Sequence, residues 1–107
     1  MDERERSIIW SPEAVADLDG IWDYYEEVAG VQTAENVTQA IHHRCAILAE
    51  HPLSGRDRNA LRPGLQSIVA TRFVIFYKIG NGPRPEIVRV IDGRRDIEAE
   101  LGEDSYR

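Results

Sequence analysis

Arginine is the residue type through which this chain most plainly offers chemistry. Arg94 and Arg95 stand side by side after Gly93, at the end of the strand-like run Glu86-Ile-Val-Arg-Val-Ile-Asp92, and Arg56, Arg58, Arg62 and Arg72 precede it. A guanidinium stays protonated at ordinary pH and presents a planar fork of N–H donors. Such groups hold carboxylates or phosphates through paired hydrogen bonds but do not abstract protons. Adjacent arginines beside a glycine at the end of a strand therefore suggest a binding end of a sheet. Asp92, Asp96 and Glu98 are close enough in sequence to pair with Arg94 and Arg95 within the chain, since exposed pairs form at little cost.

The other reactive side chains assemble into no reaction centre, and no catalytic residue is assigned. His42 and His43 are adjacent on a helical pattern and point about 100° apart, so they cannot share a metal ion. No metal site and no cofactor are expected. Cys45 falls on an apolar stripe and reads as core rather than nucleophile. Tyr77 lies inside an apolar run, as a core ring with a tethered hydroxyl. Tyr106 is in the tail, and Trp10 and Trp22 read as core. No glycine-rich phosphate loop, Ser–His–Asp order or paired-carboxylate motif stands out.

Charge is divided unevenly. The chain of 107 residues has a net charge of −6, which disfavours a generic nucleic-acid binder. Residues 1–50 hold three arginines against eleven acids, whereas residues 54–96 hold nine basic residues against four acids. An acidic half followed by a basic one points to a partner that meets the second half. The length fits one domain over 1–107, with a packed core at about 7–97 and a polar tail at 98–107. The charged start, residues 1–6, leads into no long apolar run, so neither signal peptide nor membrane span is expected. One cysteine permits no intrachain disulfide, and a reduced, cytoplasmic setting fits.

The elements that must position the arginines follow from periodicity. Ile8, Ile9 and Trp10 form a short β-favouring run. Ser11-Pro12-Glu13 then starts a helix: a capping hydroxyl, a proline suited to the first position and an anion at the positive end of the dipole. Val15, Leu18, Trp22, Tyr25 and Ala29 make its apolar stripe, which Ile21 widens, and Gly30 suits its end. Gly20, within that helix, would let another backbone come close. Thr33 is the expected cap of a second helix over roughly 34–50, with Val37, Ile41, Cys45 and Leu48 inward and His51-Pro52 as its stop. The three-residue link Val31–Thr33 predicts an antiparallel helical hairpin. Residues 53–64 read as loop and 65–71 as a strand. Phe73–Ile79 is apolar enough to be a strand covered on both faces, Gly80-Asn-Gly-Pro is a turn, and in 86–92 Arg89 faces out. The expected fold is α+β, in the order βααβββ: an N-terminal strand and a helical hairpin packed on a small, mostly antiparallel sheet.

Five segments together resemble the RelE/ParE toxin superfamily, the toxin halves of bacterial type II toxin–antitoxin pairs. They are Trp10-Ser11-Pro12-Glu13-Ala14 with Asp17-Leu18; Leu48, Pro52 and Gly55-Arg56; Arg62-Pro63-Gly64-Leu65-Gln66-Ser67; Phe73-Val-Ile-Phe-Tyr77; and Arg89-Val90-Ile91-Asp92-Gly93-Arg94-Arg95-Asp96-Ile97. Their order and spacing, over roughly residues 7–97, favour the ParE-like branch. Gln66 stands where the family commonly has Arg, and Asp92 where it commonly has His; Asp92 can accept hydrogen bonds from a guanidinium but cannot shuttle protons at neutral pH.

The resemblance implies a hetero-oligomer with a cognate antitoxin, of ribbon–helix–helix type. It also implies one of two targets: DNA gyrase for ParE-like members, or messenger RNA in the ribosomal A site for RelE-like ones. RNA cleavage needs a base, an acid and cations. Here the strand Ser67–Thr71 carries no charge and Lys78 is the only lysine. Gyrase poisoning needs a complementary surface without a reacting centre, and the chain suits that better. The target-binding candidates are Arg94, Arg95, Arg72, Arg62, Arg56 and Arg58. The antitoxin-binding candidates, on the helical hairpin and sheet edge, are Trp22, Tyr25 and Arg89. The alternatives are a RelE-like endoribonuclease and an inactive module that only binds its antitoxin. No membrane and no small-molecule substrate are expected as partners.

Overall fold

Ser11 decides where the first helix begins. Its Oγ accepts the Ala14 N–H at 3.0 Å and donates to the Val88 carbonyl at 2.9 Å, while its own N–H donates to the Ile87 carbonyl at 3.0 Å. The residue thus caps the first helix, α1 (Pro12–Ala29), and ties it to a strand far along the chain. The computed structural model describes residues 7–80, 82 and 84–105, with side chains described as far as residue 101. Residues 1–6, Asn81 and Pro83 of the expected turn, and Tyr106 lie outside the described residues.

The elements run β1 (Ile9–Trp10), α1 (Pro12–Ala29), α2 (Val31–Ala46), a 3₁₀ turn (Ile47–Ala49), β2 (Arg56–Asp57), β3 (Leu65–Ala70), β4 (Phe73–Ile79), β5 (Pro85–Asp92) and α3 (Ile97–Ser105). The sheet order is β1-β5-β4-β3-β2, with β1 parallel to β5 and every other pairing antiparallel. The expected α+β architecture is therefore present, extended by a two-residue edge strand, β2, inside the segment read as loop.

The helical hairpin covers one sheet face. Ile41, Cys45 and Leu48 meet Phe73, Ile75, Tyr77, Ile87 and Val90 there. On the other face Leu65, Phe76 and Ile91 enclose Leu101 of α3. Burial on two faces explains the unbroken apolar run of β4. It also carries the core beyond residue 97, into the segment expected to be a polar tail: Leu101 is buried.

Three local readings change. Gly30, at φ 93°, is the whole link between the hairpin helices: its N–H donates to the Glu26 carbonyl at 3.1 Å and its carbonyl accepts from Ala34 at 3.1 Å. A positive φ that glycine adopts without strain lets α2 start at Val31, so Thr33 lies inside the helix and caps nothing. In α1 the inward residues are Ala14, Leu18, Ile21 and Tyr25; Val15 and Ala29 are exposed and Trp22 is only half-buried. The helix is turned so that Asp17 faces β5. Gly20 then looks into open space, with no heavy atom within 4 Å of an added Cβ, rather than against another backbone.

Tyr77 is the core ring with a tethered hydroxyl. It donates to the Pro52 carbonyl at 3.0 Å and accepts the Gly55 N–H at 2.9 Å. A Cβ on Gly55 would overlap the hydroxyl and sit 2.7 Å from Cε1, so the close approach requires glycine there.

Candidate functional site

Between β4 and β5 the register shifts at Phe76/Tyr77, where Phe76 opposes Arg89 and Tyr77 opposes Ile87. Val88 is the extra residue of a bulge, which resets the alternation so that Ile87 and Val90 both face the hairpin. Arg89 consequently points inward, not out. Its Nε donates to Asp17 Oδ2 at 2.8 Å and its Nη2 to Asp17 Oδ1 at 3.1 Å, while Nη1 reaches the Glu100 carbonyl at 3.3 Å. Asp17 also accepts the Val90 N–H at 2.8 Å. This two-pronged pair pins α1 to β5 and brings α3 against both.

Above that pin the C-terminal end of β5 meets the β3–β4 turn. Thr71 takes a positive φ of 55° to close the turn, and the Gly93 N–H donates to the Arg72 carbonyl at 2.8 Å. A Cβ at position 93 would stand 3.1 Å from that carbonyl, so the glycine admits the close approach. Arg72 and Arg94 thereby converge on one carboxylate. Asp92 accepts from the Arg94 N–H at 2.9 Å, from Arg94 Nη2 at 2.9 Å and from Arg94 Nε at 3.2 Å, and it forms an ion pair with Arg72 Nε at 3.3 Å. The hydrogen bonds from Arg94, side chain first, hold the Asp92 carboxyl down at about 2. The Arg72 guanidinium also lies over the rings of Tyr25 and Phe73, at 5.4 and 5.6 Å. Arg95 Nη1 donates to Glu100 Oε1 at 3.0 Å.

The result is a cleft of about 670 Å³ between α1 and the ends of β4 and β5, with Gly20, Tyr24, Arg72, Asp92, Arg94 and Arg95 among its walls and the Asp17–Arg89 pair beside them. Of the six arginines named from the sequence, Arg94, Arg95 and Arg72 line this cleft; Arg56, Arg58 and Arg62 do not. Arg58 donates from Nε to Ser67 Oγ at 2.9 Å and lies 5.8 Å from the Phe76 ring centre. Arg62 reaches the Leu101 carbonyl at 3.3 Å, and Arg56 is exposed on β2. The antitoxin candidates also divide. Tyr25 lies beneath Arg72, Arg89 is committed to Asp17, and Trp22 belongs to a second groove of about 610 Å³. Trp10, Val15 and His42 share that groove, the rings of Trp10 and His42 5.1 Å apart. Cys45 lines it but is buried, which pushes its thiol up to about 12, so it is core as expected.

Sequence reasoning missed Asp17, Gly20, Tyr24 and Glu100 as parts of the cleft. The adjacent Tyr24-Tyr25 pair was a visible sign; a bond between residues as far apart as Asp17 and Arg89 had none.

With this geometry in place, comparison with known proteins decides the family. The family model for the ParE toxin of the type II toxin–antitoxin system parDE matches residues 8–97. The chain belongs to the ParE toxin family. Toxin ParE1 of Caulobacter vibrioides is 36% identical over 92 residues, covering 86% of this chain and 94% of the relative. Toxin ParE1 of Mycobacterium tuberculosis is 32% identical over 91 residues, covering 85% and 93%. A solved structure of the chromosomal ParDE toxin–antitoxin system from P. aeruginosa superposes with a TM-score of 0.71 at 25% identity, covering 84% of this chain and 98% of that one. As a ParE-family toxin, the chain has an antitoxin as its partner class. Among the described residues no helix is long and apolar enough to cross a membrane.

Proposed function

We propose that this ParE-family chain acts in the cytoplasm as an inhibitor of DNA gyrase that works by binding, and that a cognate antitoxin of ribbon–helix–helix type neutralises it. The observation that carries the reading is the gathering of three arginines at one cleft, Arg72 and Arg94 on Asp92 and Arg95 on Glu100 beside them. Three guanidiniums at one cleft give a strong recognition surface for carboxylates or phosphates. The same cleft is poorly equipped for proton transfer. Arginine stays protonated, and a carboxylate held at about 2 is a weak base at neutral pH. Tyr77, whose hydroxyl is engaged with Pro52 and Gly55, stands in the core.

The test adds the purified chain to gyrase and, in parallel, to a cell-free translation reaction. Loss of supercoiling with unchanged translation is expected. Cuts in ribosome-bound messages with normal supercoiling would replace the proposal with an endoribonuclease, and silence in both assays would leave a module that only binds its antitoxin.

A further inference from the structure

Asp92 holds two arginines that arrive from different strand ends, Arg72 just before β4 and Arg94 just after β5. It closes the turn first: its carbonyl accepts the Arg95 N–H at 3.0 Å and its Oδ1 accepts the Arg94 N–H at 2.9 Å. The same carboxylate then takes the Arg94 side chain along one edge, from Nε at 3.2 Å and from Nη2 at 2.9 Å. Arg72 Nε lies 3.3 Å from Oδ2, with its guanidinium stacked over Tyr25 and Phe73. The Asp92 side chain is 16% exposed and that of Arg94 70%, so the anion sits behind the cation. Its carboxyl, held at about 2, is ionised at neutral pH.

A guanidinium can bind one anion along its Nε–Nη2 edge and another across its Nη1–Nη2 end. Asp92 occupies the first edge of Arg94. Among the described residues Arg94 Nη1 has no hydrogen-bond partner, so the end of the fork is left for a second anion. An exposed arginine without such a partner samples many rotamers and must be ordered when it binds. Asp92 has already ordered this one. The second anion is better a carboxylate of a protein than a phosphate of DNA. A duplex would bring a continuous row of charges against Asp17, Asp92 and Glu100 and against a chain of net −6, whereas a single carboxylate meets the guanidinium alone.

We infer that Asp92 is a positioning residue for target recognition: it clamps one edge of Arg94 and thereby presents the other end of that guanidinium to a carboxylate on the target protein. The inference rests on the reading of gyrase as the target. It makes two predictions that a rim acting by charge alone would reverse. Asp92→Asn makes the rim more positive, yet weakens it. Its amide still accepts the Arg94 N–H, so the turn is kept, but it turns a donor toward Arg94 Nη2 and Arg72 and the clamp opens. Arg94→Lys keeps the charge, yet also weakens it, because a single ammonium cannot serve Asp92 and a second carboxylate with two separate edges.

Half-inhibition of gyrase supercoiling is measured for wild type, Asp92→Asn and Arg94→Lys at matched folded concentration. Glu86→Gln is the control, since it removes one carboxylate from an exposed pair with Lys78 away from the cleft. Asp92→Asn and Arg94→Lys are each expected to need about fivefold more protein, the cost of ordering a long side chain on binding. Glu86→Gln should stay within about twofold of wild type. Nitrogen–proton NMR of the arginine side chains supplies a readout that needs no gyrase: the Arg94 Nε–H should be protected from water exchange in wild type and lose that protection in Asp92→Asn. The inference is overturned if either cleft variant inhibits as well as wild type or better, if Glu86→Gln weakens inhibition as much as Asp92→Asn, or if the Arg94 Nε–H is unchanged in Asp92→Asn. It is also overturned if the chain binds the substrate DNA without gyrase and Arg94→Ala abolishes that binding, which would make the partner group a phosphate. A wild type that leaves supercoiling intact overturns the gyrase reading and this inference with it, whereas an inhibitory wild type with equally potent variants overturns the inference alone.

Discussion

Replacing Asp17 by alanine removes the carboxylate that joins α1 to β5. It deletes the bonds to Arg89 Nε and Nη2 and to the Val90 N–H, at 2.8, 3.1 and 2.8 Å. Both partners are mostly shielded, with side chains 19% and 16% exposed, so the guanidinium and the strand N–H are left short of acceptors. Breaking a fully buried pair costs about 3–5 kcal/mol, and the residual solvent access here puts the loss at the low end, about 3 kcal/mol. For a domain of this size that lowers the melting temperature by roughly 12 °C or more. Arg89→Ala should cost less, about 2 kcal/mol, because Asp17 keeps the Val90 N–H. Urea unfolding of both single variants and the double variant gives the coupling directly, expected at about 1 kcal/mol or more because the pair shares its bonds. A coupling near zero, or an Asp17→Ala variant as stable as wild type, would refute the claim that this pair fixes α1 against the sheet. Arg89 would then return as an interface residue rather than an internal one.

Gly55→Ala should destabilise by about 3 kcal/mol in urea unfolding, since the methyl displaces the Tyr77 ring and breaks its two hydroxyl bonds. The Asp92 carboxyl is held at about 2, below the ordinary 3.8, so its contribution to stability is complete above about pH 4 and is lost as pH falls through 2. Unfolding free energies measured between pH 5 and pH 2 should therefore fall less steeply in Asp92→Asn than in wild type. Cys45, buried and held at about 12, should resist iodoacetamide at pH 8 in the folded chain and react readily in urea, which mass spectrometry reads.

The hairpin of helices and the strands were legible because local signals agreed: Ser11-Pro12-Glu13 at a helix start, the stripe of Ile41, Cys45 and Leu48, and the apolar run of β4. The phase of α1 was not. Its stripe could be drawn through Val15 and Trp22 or through Ala14 and Ile21, and the choice was made by Asp17 reaching β5, a contact distant in sequence. The turn at Thr71-Arg72 gave no warning either, because the positive φ falls on threonine rather than glycine. Leu101 lay in a stretch dominated by acids, and only the second sheet face shows why it is buried. Of the cleft, Arg94 and Arg95 were plain from their adjacency to Gly93. Arg72 joined them through the closeness of Gly93 to its carbonyl, whereas Arg56, Arg58 and Arg62 shared the basic half of the chain but do not line the cleft.

The most direct test of the central claim is inhibition of gyrase supercoiling by the purified chain, set against the double variant Arg94→Ala/Arg95→Ala at matched folded concentration. Both side chains are exposed, so the variant should fold normally and require at least tenfold more protein for half-inhibition. Equal potency of the two proteins would contradict the assignment of the arginine rim as the surface that meets the target.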